Sequence, residues 1–350
     1  MMHRATVLLI LLGSIGVVNA LDGNFTDDTM NQETEEKAIV FKKSMTTDRR
    51  NALRSYELAS FICCPLCYLF NLVSIVVFIR MWRQSRTPVL LALIALCIAD
   101  PLATIINADY LIWATTEWSP MQNTDAGCKT INWLATVAHD CSNALCLLIA
   151  IERFVAVFFP HKVDKLVTKV TTTVAIVTIF VVYAGLEGYR FVIFTHMSMW
   201  DTDFCSRDSD HLDLGRQMSI GVTESLGFLI NWFGLTVCYA LIIGRLFIWK
   251  QKSKQTGQAP FTLMLLCMSV FSLGCNIMRI VNAIILMESG TSYINNYDRY
   301  INSSILLLVG HSFNFVFYAL MGKKFRQNLV QCCTESNEYD MHKESKVTEA

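Results

Sequence analysis

Charge is what this chain has little of. Only 17% of its 350 residues are charged, against about a quarter in a typical soluble domain. Hydrophobic residues make up 53%, and the mean hydropathy is +0.40, so the expected solvent is a bilayer. Net charge is absent too, with 29 Lys and Arg against 29 Asp and Glu. That balance argues against nucleic acid as a partner, since phosphate backbones are held by an excess of cationic side chains. No Gly-rich phosphate loop, HExxH or GxSxG motif occurs. P-loop, zinc-protease and serine-hydrolase chemistry therefore have no foothold, and neither a catalytic residue nor a metal-ligating set is assigned. Internal repeats are also lacking.

What is present begins with a targeting segment. Arg4 precedes an apolar run from Val7 to Val18, and Val18-Asn19-Ala20 resembles a small-residue cleavage site. The run is about a dozen residues, too short for the roughly 30 Å hydrocarbon layer. Residues 1–20 are therefore expected to be a signal peptide, with an uncleaved anchor as the other reading. Residues 21–56 are charged and low in aromatics, as in a flexible extracellular tail. Export makes Asn24 in Asn24-Phe25-Thr26 an N-glycosylation acceptor.

Seven later stretches, about 57–80, 88–113, 129–158, 170–194, 217–249, 260–287 and 300–321, are long and apolar enough to cross. They lack the dyad alternation of barrel strands, so helices are expected. Lys and Arg cluster in alternate connections: Arg80, Arg83 and Arg86; Lys162, Lys165 and Lys169; Lys250, Lys252 and Lys254; Lys323, Lys324 and Arg326. The opposite loops carry Glu117, Asp125, Asp201, Asp203, Asp208, Asp210, Asp213 and Glu288 instead. The positive-inside rule then places the N-terminus outside and the C-terminus in the cytoplasm. The expected product is an all-α plasma-membrane protein. Its membrane domain spans 57–321 as a seven-transmembrane helix bundle, followed by a short cytoplasmic helix and tail over 322–350.

The cysteines divide by compartment. Cys128 opens the third span on its outer side, and Cys205 is the only cysteine of the loop 195–216. In an oxidising compartment the two most simply pair. Cys332 and Cys333 follow the basic stretch "MGKKFRQNLVQCC" and are palmitoylation candidates, or else exposed thiols. Arg153 lies 25 residues beyond Cys128, about 38 Å at 1.5 Å per residue, which is the cytoplasmic rim of the third helix. An Arg there can snorkel to lipid headgroups, but the adjacent Glu152 gains nothing from an anionic leaflet.

These residues together resemble the rhodopsin-like G protein-coupled receptors, over roughly 57 to 333. Asn71 in "LFNLVS" resembles the family's first-helix asparagine, and Asp100 in "LCIADPL" its sodium-site aspartate. Cys128 resembles the third-helix disulfide cysteine, and Glu152-Arg153-Phe154 the Asp/Glu-Arg-Tyr switch. Tyr239 resembles the fifth-helix switch tyrosine, and the run Asn314 to Tyr318 the seventh-helix Asn-Pro-x-x-Tyr. The resemblance implies an extracellular ligand, a heterotrimeric G protein as intracellular partner and membrane lipids around the bundle. It also implies a receptor dimer as a further partner and a sodium ion near Asp100 as the one bound group. In that family the acid holds the Arg inward until activation. Departures are Phe315 for proline, Phe154 for tyrosine, no fourth-helix tryptophan, and Gly274-Cys275-Asn276-Ile277 where Cys-Trp-x-Pro is usual. A packing or bending role is expected of Gly274. The pattern resembles invertebrate peptide receptors and the divergent chemosensory receptors of nematodes.

On a helical wheel, Ala135, His139 and Cys146 fall within about 40° of Arg153, with Asn132 and Asn143 somewhat wider and Asp140 about 140° away. Ala135 stands where the family's amine receptors carry an aspartate, and the seventh span has no lysine for retinal. Ligand-pocket candidates are Asn132, His139, Glu224, Arg279 and Asn282. For His139 the alternative is a bundle hydrogen bond; for Arg279 it is an ion pair with Glu224 or Asp140. His311 is read as a bundle hydrogen-bonder. An Asp-rich outer surface suits a basic neuropeptide, whereas an inward Arg279 suits a small secreted acid. A transporter or channel is the reading from another class.

Overall fold

A computed structural model describes residues 47–199, 202–208, 217–218, 230–250, 259–289 and 297–332. Asn24, Glu224 and Cys333, with the signal segment and most of the tail, lie outside them. The described residues contain five helices long and apolar enough to cross a membrane: Arg54–Ser85, Pro88–Thr116, Asp125–Phe158, Lys169–Ile193 and Ile301–Met321. They are the first to fourth and the seventh of the expected spans. The fifth and sixth are represented by helices Asn231–Lys250 and Ala259–Ser289. The first helix begins at Thr47, inside the stretch read as a tail. Residues 323–332 are helical after a break at Gly322.

Local chemistry sets the boundaries. Thr124 caps the third span by accepting from the Gly127 amide, and Thr168 with Thr171 forms a capping box at the start of the fourth. Pro88 occupies the first turn of the second span, where its missing N–H costs nothing. Pro101 lies inside that span, and the helix is interrupted at Thr104 before resuming over Ile105–Thr116. At Gly127 an added Cβ would stand 2.0 Å from the Pro120 carbonyl oxygen, so only glycine lets the outer turn close on the third helix.

The seventh span breaks without a proline. Helix Tyr297–Ser312 ends and Asn314–Met321 begins with Phe313 between them at φ −95° and ψ 0°. Ser312 Oγ donates back to the Leu308 carbonyl at 2.6 Å and to the first-span Cys63 carbonyl at 3.0 Å. Such back-bonding competes with the backbone ladder and bends helices. Phe315 at the proline position stacks on Phe70 at 4.8 Å and meets Phe325 of the terminal helix edge-on at 5.8 Å.

The second and third helices form the centre of the bundle, with Leu93, Leu96, Leu145 and Ile149 fully buried. The fourth is peripheral: Val170, Val174, Val177 and Val181 are 55–71% exposed along one stripe. Such a stripe, a liability in water, is what a lipid-facing helix presents. Gly274 is also exposed, and a Cβ there would meet nothing within 4 Å, so the packing reading of Gly274 fails. The close approach falls at Gly310, whose added Cβ would lie 3.3 Å from Cys275 Cβ.

Outside the bundle, strands β1 (Phe194–Met199) and β2 (Thr202–Arg207) pair as an antiparallel hairpin with His196 opposite Cys205. Cys205 is bonded to Cys128, with 5.3 Å between their Cα atoms, which ties the hairpin to the third span.

Candidate functional site

Asp100 is fully buried in the second span, where an ionised carboxylate requires hydrogen-bond donors. Three reach it. Ser142 Oγ donates to Oδ1 at 2.7 Å, Asn314 Nδ2 to Oδ2 at 2.7 Å, and His311 Nδ1 lies 2.8 Å from Oδ1. His311 Nε2 is in turn 3.0 Å from His139 Nδ1, and His139 Nε2 is 3.2 Å from Asn143 Nδ2. Asn143 Nδ2, an amide nitrogen, can only donate, which orders the protons of two neutral imidazoles behind it. His311 donates to Asp100, His139 donates to His311, and Asn143 donates to His139. Two imidazoles thus link the third helix to the second and seventh. His139 serves here as a bundle hydrogen-bonder, and the pairing of His311 with Asp100 had no counterpart in the sequence reading. Asn71 donates to the Cys67 carbonyl at 2.9 Å and to the His311 carbonyl at 3.4 Å, joining the first helix to the same region.

Glu152 is buried and accepts from Thr172 Oγ1 of the fourth span at 2.5 Å. Arg153 lies within electrostatic reach of Glu152 and Tyr239. Phe154 stacks on Phe158 at 4.4 Å. The Tyr239 hydroxyl accepts from Ser269 Oγ at 2.9 Å and faces the Leu265 carbonyl at 3.5 Å, which ties the fifth helix to the sixth. Tyr318 is fully buried against Phe78 and Phe325, at ring-centroid distances of 4.9 and 5.6 Å. Its hydroxyl has no hydrogen-bond partner among the described residues.

Residues 70–318 match the family of 7 transmembrane receptors (rhodopsin family). The chain belongs to that family. It is also similar to growth hormone secretagogue receptor type 1 of Homo sapiens, 26% identical over 280 residues, covering 73% of this chain and 74% of that protein.

The ligand-side candidates separate. Asn132 of the receptor lies under the disulfide, donating to the Cys128 carbonyl at 2.8 Å and approaching Cys205 Sγ at 3.2 Å. Arg279 and Asn282 are half-buried in the sixth helix, and Arg279 lies within electrostatic reach of His139. Asp140, fully buried, lies within electrostatic reach of Tyr183 and Arg190 on the fourth span. Arg190 also pairs with buried Glu187 at 2.6 Å. Sequence reading missed this pair, although a Glu and an Arg three apart inside an apolar span are its signal. Asn143, Asn231, Ser272 and Asn276 share the lining of a small cavity between the third, fifth and sixth helices with apolar residues such as Trp232 and Leu235. Of the outer acids, Asp203 accepts from Ser198 and Asn123 and lies 3.6 Å from His196. The Ser198 hydrogen bond holds its carboxyl below the usual carboxylate range, so it stays ionised at neutral pH. Cys332, half-buried on the terminal helix, lies 3.8 Å from Arg80 Nη1.

Proposed function

We propose that this receptor binds an extracellular basic peptide and transmits binding to a heterotrimeric G protein through the cytoplasmic ends of its helices. The supporting observation is the arrangement around Arg153. Glu152 is engaged by Thr172, Tyr239 is tied to the sixth helix, and the Tyr318 hydroxyl is buried without a partner. A region holding imperfectly satisfied groups has a second arrangement within reach, which is the property a ligand-biased switch requires. The N-terminus lies outside in this reading, as the loop charges require. Arg153→Ala should abolish nucleotide exchange on a partner G protein at equal surface expression, with ligand binding largely retained. Unchanged exchange would return Arg153 to the role of a lipid-facing anchor.

The peptide reading draws on the ionised outer acids, of which Asp203 is held in its charged form beside the hairpin; such a surface steers cationic ligands. A second reading, a small secreted acid, is favoured by Arg279 near His139 in the outer half of the bundle. Potency at two ionic strengths separates them. A salt-sensitive loss in Asp203→Asn supports the peptide. A loss of about thirtyfold in Arg279→Gln, equal to about 2 kcal/mol and non-additive with removal of the ligand's carboxylate, supports the acid.

A further inference from the structure

The donor set around Asp100 does not fit the sodium ion that the family resemblance implies there. Hard cations take oxygen ligands, and among the described side chains that hydrogen-bond Asp100 only Ser142 presents an oxygen to it. The other two contacts are N–H groups, from His311 on Oδ1 and Asn314 on Oδ2, and each turns a positive hydrogen toward the position a cation would take. The remaining groups within electrostatic reach of Asp100 include the thiols of Cys67, Cys97 and Cys146 and the Tyr318 hydroxyl. Thiols are soft groups, poor partners for an alkali cation.

We infer that His311 stands in for the cation: its imidazole, held by His139 and Asn143, satisfies Asp100 and makes this receptor insensitive to sodium. The geometry behind this is directional. Asn143, His139 and His311 form a file of N–H groups that all point toward one carboxylate, and aligned hydrogen bonds polarise one another. The positive end of that file sets an N–H donor on the carboxylate oxygen that an ion would otherwise contact. The same file runs from Asn143, on the wall of the small cavity between the third, fifth and sixth helices, to Asp100, which Asn314 also contacts. The ion's place is thereby taken by a covalent part of the third and seventh helices.

The test is thermal melting of the purified full-length receptor in sodium chloride and in choline chloride at matched ionic strength. Wild-type curves should superimpose. His311→Ser, which replaces the imidazole by a small oxygen ligand, should acquire a saturable upward shift specific to sodium. Adding Asp100→Asn to it should remove that shift. A saturable sodium-specific shift in wild type, abolished by Asp100→Asn alone, overturns the inference. A folded His311→Ser protein with no sodium response overturns it as well, because His311 would then not be the excluding group. If His311→Ser fails to fold, the wild-type pair of curves decides: coincidence supports the inference, and a sodium-specific shift defeats it.

Discussion

Asp100 and Tyr318 are both buried in the same bundle, yet their polar atoms are treated differently. Asp100 has three donors at 2.7–2.8 Å. The Tyr318 hydroxyl has no partner among the described residues, and neither has Glu152 Oε2. A satisfied polar knot specifies one arrangement, because every alternative breaks several hydrogen bonds at once in a low dielectric. An orphaned hydroxyl does the reverse: it costs about 1–3 kcal/mol where it stands, and any rearrangement that finds it a partner recovers that amount. The region around Asp100 is thus held in one arrangement, and in the proposed function the region around Arg153 is the one able to rearrange.

The largest expected effect comes from breaking the knot. Asp100→Ala would strand donors on Ser142, His311 and Asn314 together, so a loss above about 3 kcal/mol is expected. It should appear as a lower melting temperature and poor surface delivery. If Asp100→Ala melts like wild type, the region around Asp100 is not the fixed part.

Next in size is the outer staple. Cys128→Ser or Cys205→Ser should cost about 2–4 kcal/mol, and the double variant little more, since one bond is lost either way. Clearly additive losses in surface delivery would contradict the bridge. At the cytoplasmic end, Thr172→Val keeps the side-chain shape but removes the hydroxyl that holds Glu152. An expected loss of about 1–2 kcal/mol from this arrangement should raise ligand-free nucleotide exchange several-fold. Unchanged basal exchange would mean that Thr172 holds nothing relevant to switching.

How far the sequence could be read follows from what each feature depends on. The spans were visible because hydrophobic length is a property of single segments, and Cys128 with Cys205 because one compartment left each no nearer partner. The family motifs were legible through joint spacing. His311 was legible only as a polar residue inside the bundle. Its pairing with Asp100 requires the rotation of the seventh helix against the second, which no local pattern carries. The same holds for Thr172, one of three consecutive threonines with nothing local to distinguish it. The bend at Phe313 was hidden for a different reason. Proline advertises a break, whereas Ser312 makes one by bonding back to Leu308 and across to Cys63, a choice set by the neighbouring helix.

The smallest expected effect is also the sharpest, because its sign is unusual. Tyr318→Phe keeps the ring that packs edge-on against Phe78 and beside Phe325, and removes only the unpartnered hydroxyl. Most substitutions of a fully buried side chain destabilise. This one should stabilise the ligand-free receptor by about 1 kcal/mol, since it deletes an unmet desolvation cost without opening a cavity. If the hydroxyl gains a partner in the signalling arrangement, the same change should lower maximal agonist-driven nucleotide exchange while ligand binding is retained. Melting temperature and maximal exchange, measured on one preparation, must then move in opposite directions. A lower melting temperature in Tyr318→Phe would mean that the hydroxyl already has a partner, and the contrast between the surroundings of Asp100 and of Tyr318 would collapse.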